Sequence, residues 1–151
     1  MKHLSFIVLL SLLLFNVNAQ IENPVKWSYT AIKIADKMYE IHLTASLDNK
    51  WHIYSQNAGE GPEPTTVIFE KNPLIKLDGK VKEQGKLEKE YDKNFKSELR
   101  FFSNKVDFVQ KVKFKSPTTT IIKGSISYMV CNDKKCLPPK SVPFSIKIDK
   151  K

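Results

Sequence analysis

Met38-Tyr39-Glu40-Ile41-His42-Leu43-Thr44-Ala45-Ser46-Leu47 is the stretch that decides the fold class. Tyr39, Ile41, Leu43, Ala45 and Leu47 take every second position, and Glu40, His42, Thr44 and Ser46 fill the places between. Successive side chains of a strand point to opposite faces, so this run offers one face to a core and the other to solvent. Working outward, the same period of two recurs in Lys26 to Ala35, Thr65 to Glu70, Ser97 to Phe102 and Val106 to Phe114. It strengthens toward the carboxyl end, where Ile122, Gly124, Ile126, Tyr128 and Val130 alternate, and Val142, Phe144, Ile146 and Ile148 alternate after them. Past the first twenty residues no long segment carries a helical repeat.

About eight short strands with polar turns, such as Asp48-Asn49-Lys50 and Leu77-Asp78-Gly79, predict an all-β, immunoglobulin-like sandwich of two packed antiparallel sheets. A barrel is the alternative. The longest irregular stretches, Ser55 to Pro64 and Gly85 to Lys96, read as loops long enough to suggest a function.

Cys131 and Cys136, the two cysteines of the chain, flank the junction of the last two strong strands. The turn formers Asn132-Asp133-Lys134-Lys135 between them let the side chains approach across a hairpin, so a local disulfide is feasible. As a staple, so small a ring contributes only about 2 kcal/mol, against about 4 for a bond joining distant strands. As a redox centre it is better placed, because Lys134 and Lys135 adjoin Cys136 and positive charge favours the attacking thiolate. Metal binding would need more ligands, and beyond the leader only His42 and His52 are at hand, in no zinc-like spacing. A thioredoxin-like centre would need a CxxC opening a helix, which the chain lacks. Staple and redox pair both remain open from the residues alone.

At the amino end, Lys2, an apolar run from Leu4 to Phe15, and Val17-Asn18-Ala19 read as a cleaved export signal over residues 1 to 19. The run falls short of the roughly 20 apolar residues a membrane span needs, so no stable membrane insertion of the remaining chain is expected. No cysteine follows the cleavage site to carry a lipid. Removing 19 of 151 residues leaves 132, the size of one domain at 20 to 151. The net charge of +9 comes almost wholly from lysine, Arg100 being the one arginine. Base readout favours arginine forks, so the charge reads as solubility or attraction to acidic partners, and no nucleic-acid partner is expected.

Tyr128 through Cys136 to Leu137-Pro138-Pro139, followed by a last alternating strand, resembles the cysteine hairpin of the amino-terminal domain family of DsbD. Trp51-His52-Ile53-Tyr54 is similar to that family's aromatic segment, Pro64-Thr65-Thr66-Val67 to the strand that follows, and Glu88-Lys89-Glu90-Tyr91 to its cap loop. The resemblance covers essentially the whole chain beyond the leader. It implies an immunoglobulin-like domain, without cofactor, that passes reducing equivalents from a thioredoxin-like donor to oxidised periplasmic proteins. Cys136 would attack and Cys131 resolve. Tyr91, or Phe95 if the register differs, would cap the cysteines, and Glu90 would help move the proton. Tyr54, Lys134, Lys135 and Pro138 would meet the partner. Two departures stand out: Lys89 occupies the place of a second acid, and the cysteines are one residue closer than in familiar members. Relatives continue into membrane and thioredoxin-like domains, whereas this chain ends at Lys151, so separate proteins are expected to supply its electrons in disulfide reduction or cytochrome maturation.

Without the resemblance, simpler readings hold for most of these residues. Trp27, Trp51 and Tyr54 read as core or rim aromatics, His42 as a solvated histidine, Pro138-Pro139 as an extended connector and Lys80 to Lys96 as a solvated loop. The rival function is a binding module without enzymatic activity, in which the disulfide is a fixed clip and the long loops make the contact surface.

Overall fold

The computed structural model describes residues 22 to 149 except 94 and 117, so the expected export signal lies outside the described residues. Nine strands and no helix make up these residues: β1 (Val25–Ala35), β2 (Met38–Leu47), β3 (His52–Tyr54), β4 (Thr66–Phe69), β5 (Ile75–Asp92), β6 (Ser97–Phe114), β7 (Thr120–Tyr128), β8 (Val130–Cys131) and β9 (Lys140–Ile148). They form the expected sandwich. One sheet has six strands, with β1-β2-β6-β3-β8 in order and β5 on the other side of β6, and the second has three in the order β4-β7-β9. Every strand pairing is antiparallel.

The inward faces meet in one core. Ile41, Leu43, Ala45, Ile53, Phe102, Val106, Phe108 and Val112 from the large sheet pack with Ile122, Ile126, Phe144 and Ile146 from the small one. The alternation of β2 is realised as read, with Ile41, Leu43 and Ala45 fully buried. Gly124 faces Phe144 across the β7–β9 pair. A Cβ there would overlap the Phe144 ring and the Ile68 carbonyl, so the missing side chain is what lets the aromatic lie flat against the sheet.

Two segments differ from expectation. The runs Ser97 to Phe102 and Val106 to Phe114 are one 18-residue strand, β6. It pairs with β3 through Phe101 to Ser103 and with β2 from Lys105 onward, and Asn104 absorbs the change of partner at a positive φ of 64°. The stretch from Gly85 is not a loop either: β5 runs through it to Asp92 and pairs with β6 along nearly its whole length. Nor does Leu77-Asp78-Gly79 end a strand. It leads into an irregularity inside β5, whose carbonyls at Asp78 and Gly79 accept from the buried Gln110 side chain. The two departures within β5 share a cause. An edge strand exposed on both faces carries no alternating apolar signal, since neither face needs one.

His42 is not the solvated histidine expected. It lies on the outer face of β2, half-buried, with Nδ1 2.6 Å from an Asp107 carboxylate oxygen that reaches across from β6. Thr44 donates to the same carboxylate.

Candidate functional site

β3 brings the site together. His52 stands opposite Cys131 of β8 on one side and opposite Ser103 of β6 on the other. Ile53, Phe102 and Val130 point into the sandwich. By alternation their neighbours His52, Tyr54, Phe101 and Cys131 point out of it. Tyr54, Ala58, Leu99 and Cys131 make a small second apolar cluster on this outer face, with Phe101 and Met129 against it.

The cysteines form a disulfide, with Cα atoms 4.0 Å apart. Asn132 N–H donates to the Lys135 carbonyl and Leu137 N–H to the Val130 carbonyl, so Cys131 and Cys136 are the non-hydrogen-bonded pair between these bonds. In such a pair the side chains stand closest, which places the sulfurs within bonding reach. The tip is set by Asn132, whose Oδ1 accepts from the backbone N–H of Lys134 and of Lys135. The two cysteines differ in exposure. Cys131 is buried, with 2% of its surface accessible, and Cys136 is exposed.

A recess of about 390 Å³ lies over the pair, lined by Cys131, Cys136, His52, Tyr54, Glu90 and Phe95 among others. Its far wall is the β5–β6 hairpin, which closes where Asp92 pairs with Ser97. Phe95 sits in the turn of that hairpin, its N–H donating to Asp92. The Phe95 ring rests on Gly61, where a Cβ would overlap it, and Gly61 holds φ at 120°, which disfavours any other residue. Glu60 N–H donates to Ser97 Oγ, and Arg100 N–H to the Ala58 carbonyl, so the Ser55 to Pro64 loop is fastened along the same hairpin.

The predicted site residues divide accordingly. Glu90 and Phe95 share the recess with both cysteines, as do Lys134 and Lys135. Tyr91 does not line it and is 63% exposed. Lys89 also points elsewhere, its Nζ 3.9 Å from Glu98 across the hairpin. Lys135 pairs with Glu22 at 2.6 Å. Tyr54, expected to meet a partner, is buried at 3% and donates from its hydroxyl to Cys131 Sγ at 3.3 Å. Pro138 lines a different groove, with Val25, Tyr128, Val130, Leu137 and Pro139.

Sequence reasoning missed two residues here. His52 stacks at 4.4 Å from the Phe101 ring and brings Nε2 to 3.4 Å from the Tyr54 hydroxyl. Burial pulls its pKa below the usual histidine range, and Asp133, Glu90 and Glu88 partly offset this. Burial likewise raises Tyr54, with Asp92 adding to the effect. The spacing of two between His52 and Tyr54 was the available signal, since it puts both on one strand face. Glu83 is the other: it accepts from Ser55 Oγ at 2.8 Å and from Gln56 N–H at 2.6 Å, holding the chain just after Tyr54. No sequence signal marks this contact.

From residue 21 to 147 the sequence matches the family described as thiol:disulfide interchange protein DsbD, N-terminal. No curated protein matches it. Among solved structures, the N-terminal periplasmic domain of ScsB from Proteus mirabilis is 15% identical with a TM-score of 0.60, over 88% of this chain and 49% of that one. This chain thus spans about half of that structure. The reduced DsbD N-terminal domain from Neisseria meningitidis is 14% identical with a TM-score of 0.56, over 89% and 95%. A complex between the DsbD N-terminal and PilB N-terminal domains from the same organism contains a chain 12% identical with a TM-score of 0.50, over 85% and 88%. At these identities the likeness is one of fold.

Proposed function

This chain belongs to the family of DsbD amino-terminal domains, and from that premise we propose that it is an exported thiol-disulfide carrier working through Cys131 and Cys136. It takes two electrons from a thioredoxin-like donor and passes them to oxidised proteins outside the cytoplasm, with residues 1 to 19 as its export signal. The observation that carries the reading is the unequal burial of the two cysteines at the floor of a recess. An incoming thiolate can reach only an exposed sulfur, so the donor attacks Cys136 and forms a mixed disulfide there. Cys131 leaves as a thiolate and is protonated. The donor's second thiol then releases Cys136. In the opposite half-cycle Cys136 attacks an acceptor disulfide, and Cys131 resolves the mixed disulfide from within.

Phe95 serves as the cap, slowing stray reaction at the sulfurs until a partner displaces it. Glu90 handles the proton of Cys136 and Lys134 and Lys135 favour its thiolate, a reading supported by their sharing the recess. The complex of the Neisseria meningitidis DsbD and PilB domains supports docking of a second protein domain as the way such a fold is used.

The test is the reduction potential of the pair, obtained by equilibrating the protein with a thioredoxin-like domain and trapping thiols for mass spectrometry. A carrier should exchange within seconds at a potential above about -250 mV. A bond still oxidised below about -300 mV would leave a clipped binding module.

A further inference from the structure

We propose that His52, acting through the Tyr54 hydroxyl, supplies and removes the proton of the buried thiol Cys131. The proposal rests on the carrier reading above and adds the group that makes the resolving step possible. Cys131 has 2% of its surface accessible, so water is a poor proton partner for it. The Tyr54 hydroxyl hydrogen-bonds its sulfur at 3.3 Å, and 3.4 Å beyond that lies His52 Nε2. Sulfur, hydroxyl and imidazole therefore form a chain of two hydrogen bonds leading out of the apolar cluster. The chain can point either way. With a thiolate at Cys131, Nε2–H donates to the tyrosine oxygen and the tyrosine O–H to sulfur. With a thiol, S–H donates to oxygen and O–H to the bare Nε2.

The step balances in both half-cycles. When a donor thiolate attacks Cys136, the Cys131–Cys136 bond breaks with its electron pair going to Cys131. The new thiolate takes the tyrosine proton, and the imidazolium replaces it, leaving neutral His52. When Cys131 resolves an acceptor mixed disulfide, its proton runs back to neutral His52. The thiolate then attacks Cys136 Sγ, the Cys131–Cys136 bond re-forms, and the acceptor sulfur leaves with the electron pair.

The surroundings suit a group that must exist in both states. Burial against Phe101 favours the neutral ring. Asp133 at the hairpin tip and Glu90 and Glu88 on β5 favour the charged one, and Asp92, Lys134 and Lys135 line the same recess. Tyr54 donates directly to the reacting sulfur, whereas His52 reaches it through that hydroxyl, so His52 is a positioning residue that also holds the proton.

The experiment follows the two releases of aromatic thiolate when the reduced chain meets dithiobis-nitrobenzoate. The first release reports attack by Cys136 and the second resolution by Cys131. His52→Gln should slow the second at least about tenfold near neutral pH and remove its pH inflection, with the first unchanged. Tyr54→Phe, which removes a single oxygen, should do the same with the imidazole in place, and the double variant should be no slower than either. A second release whose rate and pH profile are unchanged in both variants overturns the proposal and leaves the carrier intact. A wild-type chain that releases no thiolate overturns both.

Discussion

β3, β6 and β8 serve two neighbourhoods from opposite sides of one backbone. Inward, Ile53, Phe102 and Val130 join an interior built from both sheets. Outward, one residue away in each strand, Tyr54, Phe101 and Cys131 belong to a small cluster that ends in an exposed sulfur. The interior is apolar and closed, whereas the outer patch holds a phenol, an imidazole, carboxylates and a disulfide in a recess at the surface. Stability and reactivity are thus separated by the pleat of a strand. The separation depends on register, because a slip by one residue would exchange the two sets.

Substitutions should keep the two neighbourhoods apart. The largest effect belongs to the interior. Phe102→Ala should lower unfolding free energy by about 3 to 5 kcal/mol, read by denaturant titration. An equal loss from Phe101→Ala would show that the outer patch is simply more core. Glu83→Gln should cost about 1 to 2 kcal/mol, because an amide cannot replace both charge-assisted bonds to Ser55 and Gln56. It should also loosen Tyr54, seen as a change in its fluorescence. Phe95→Ala should leave stability within about 1 kcal/mol and speed reduction of the disulfide by a small thiol several-fold. Gly61→Ala, by pushing the ring from its seat, should accelerate the same reaction, and Tyr91→Ala should not.

The smallest effect is a pH dependence. Because the folded pKa of His52 lies below its unfolded value, the unfolded chain binds more protons as the medium becomes acidic. Wild type should lose stability relative to His52→Gln as pH falls below about 6.5, and the two should run parallel above it. A relative gain on acidification would mean that the acids around His52 outweigh its burial.

The sequence made some of this legible and hid the rest for physical reasons. β2, β7 and β9 bury one face and expose the other, so their alternation reads directly. β5 buries little of either face, and its polar run Lys82-Glu83-Gln84 gives no hint of a strand or of the clamp that Glu83 provides. β6 reads as two strands because Ser103-Asn104-Lys105, where it changes neighbour, is polar. The cysteine hairpin was readable because its turn formers and both sulfurs are local in sequence. Which aromatic lines the recess with the pair was not, because that depends on Asp92 pairing with Ser97 and on a glycine seat more than thirty residues upstream. His42 shows the same limit: Asp107 reaches it only through the pairing of β2 with β6.

Two backbone bonds, distinct from the link between the sulfurs, bracket the cysteines. If that link is cleaved, the ladder bonds are expected to keep both thiols opposite each other, so that each sulfur meets its mate at a very high effective concentration. Ring closure is then an encounter already arranged, and in the proposed carrier an acceptor joined through Cys136 would stay joined while the neighbouring sulfur stays protonated.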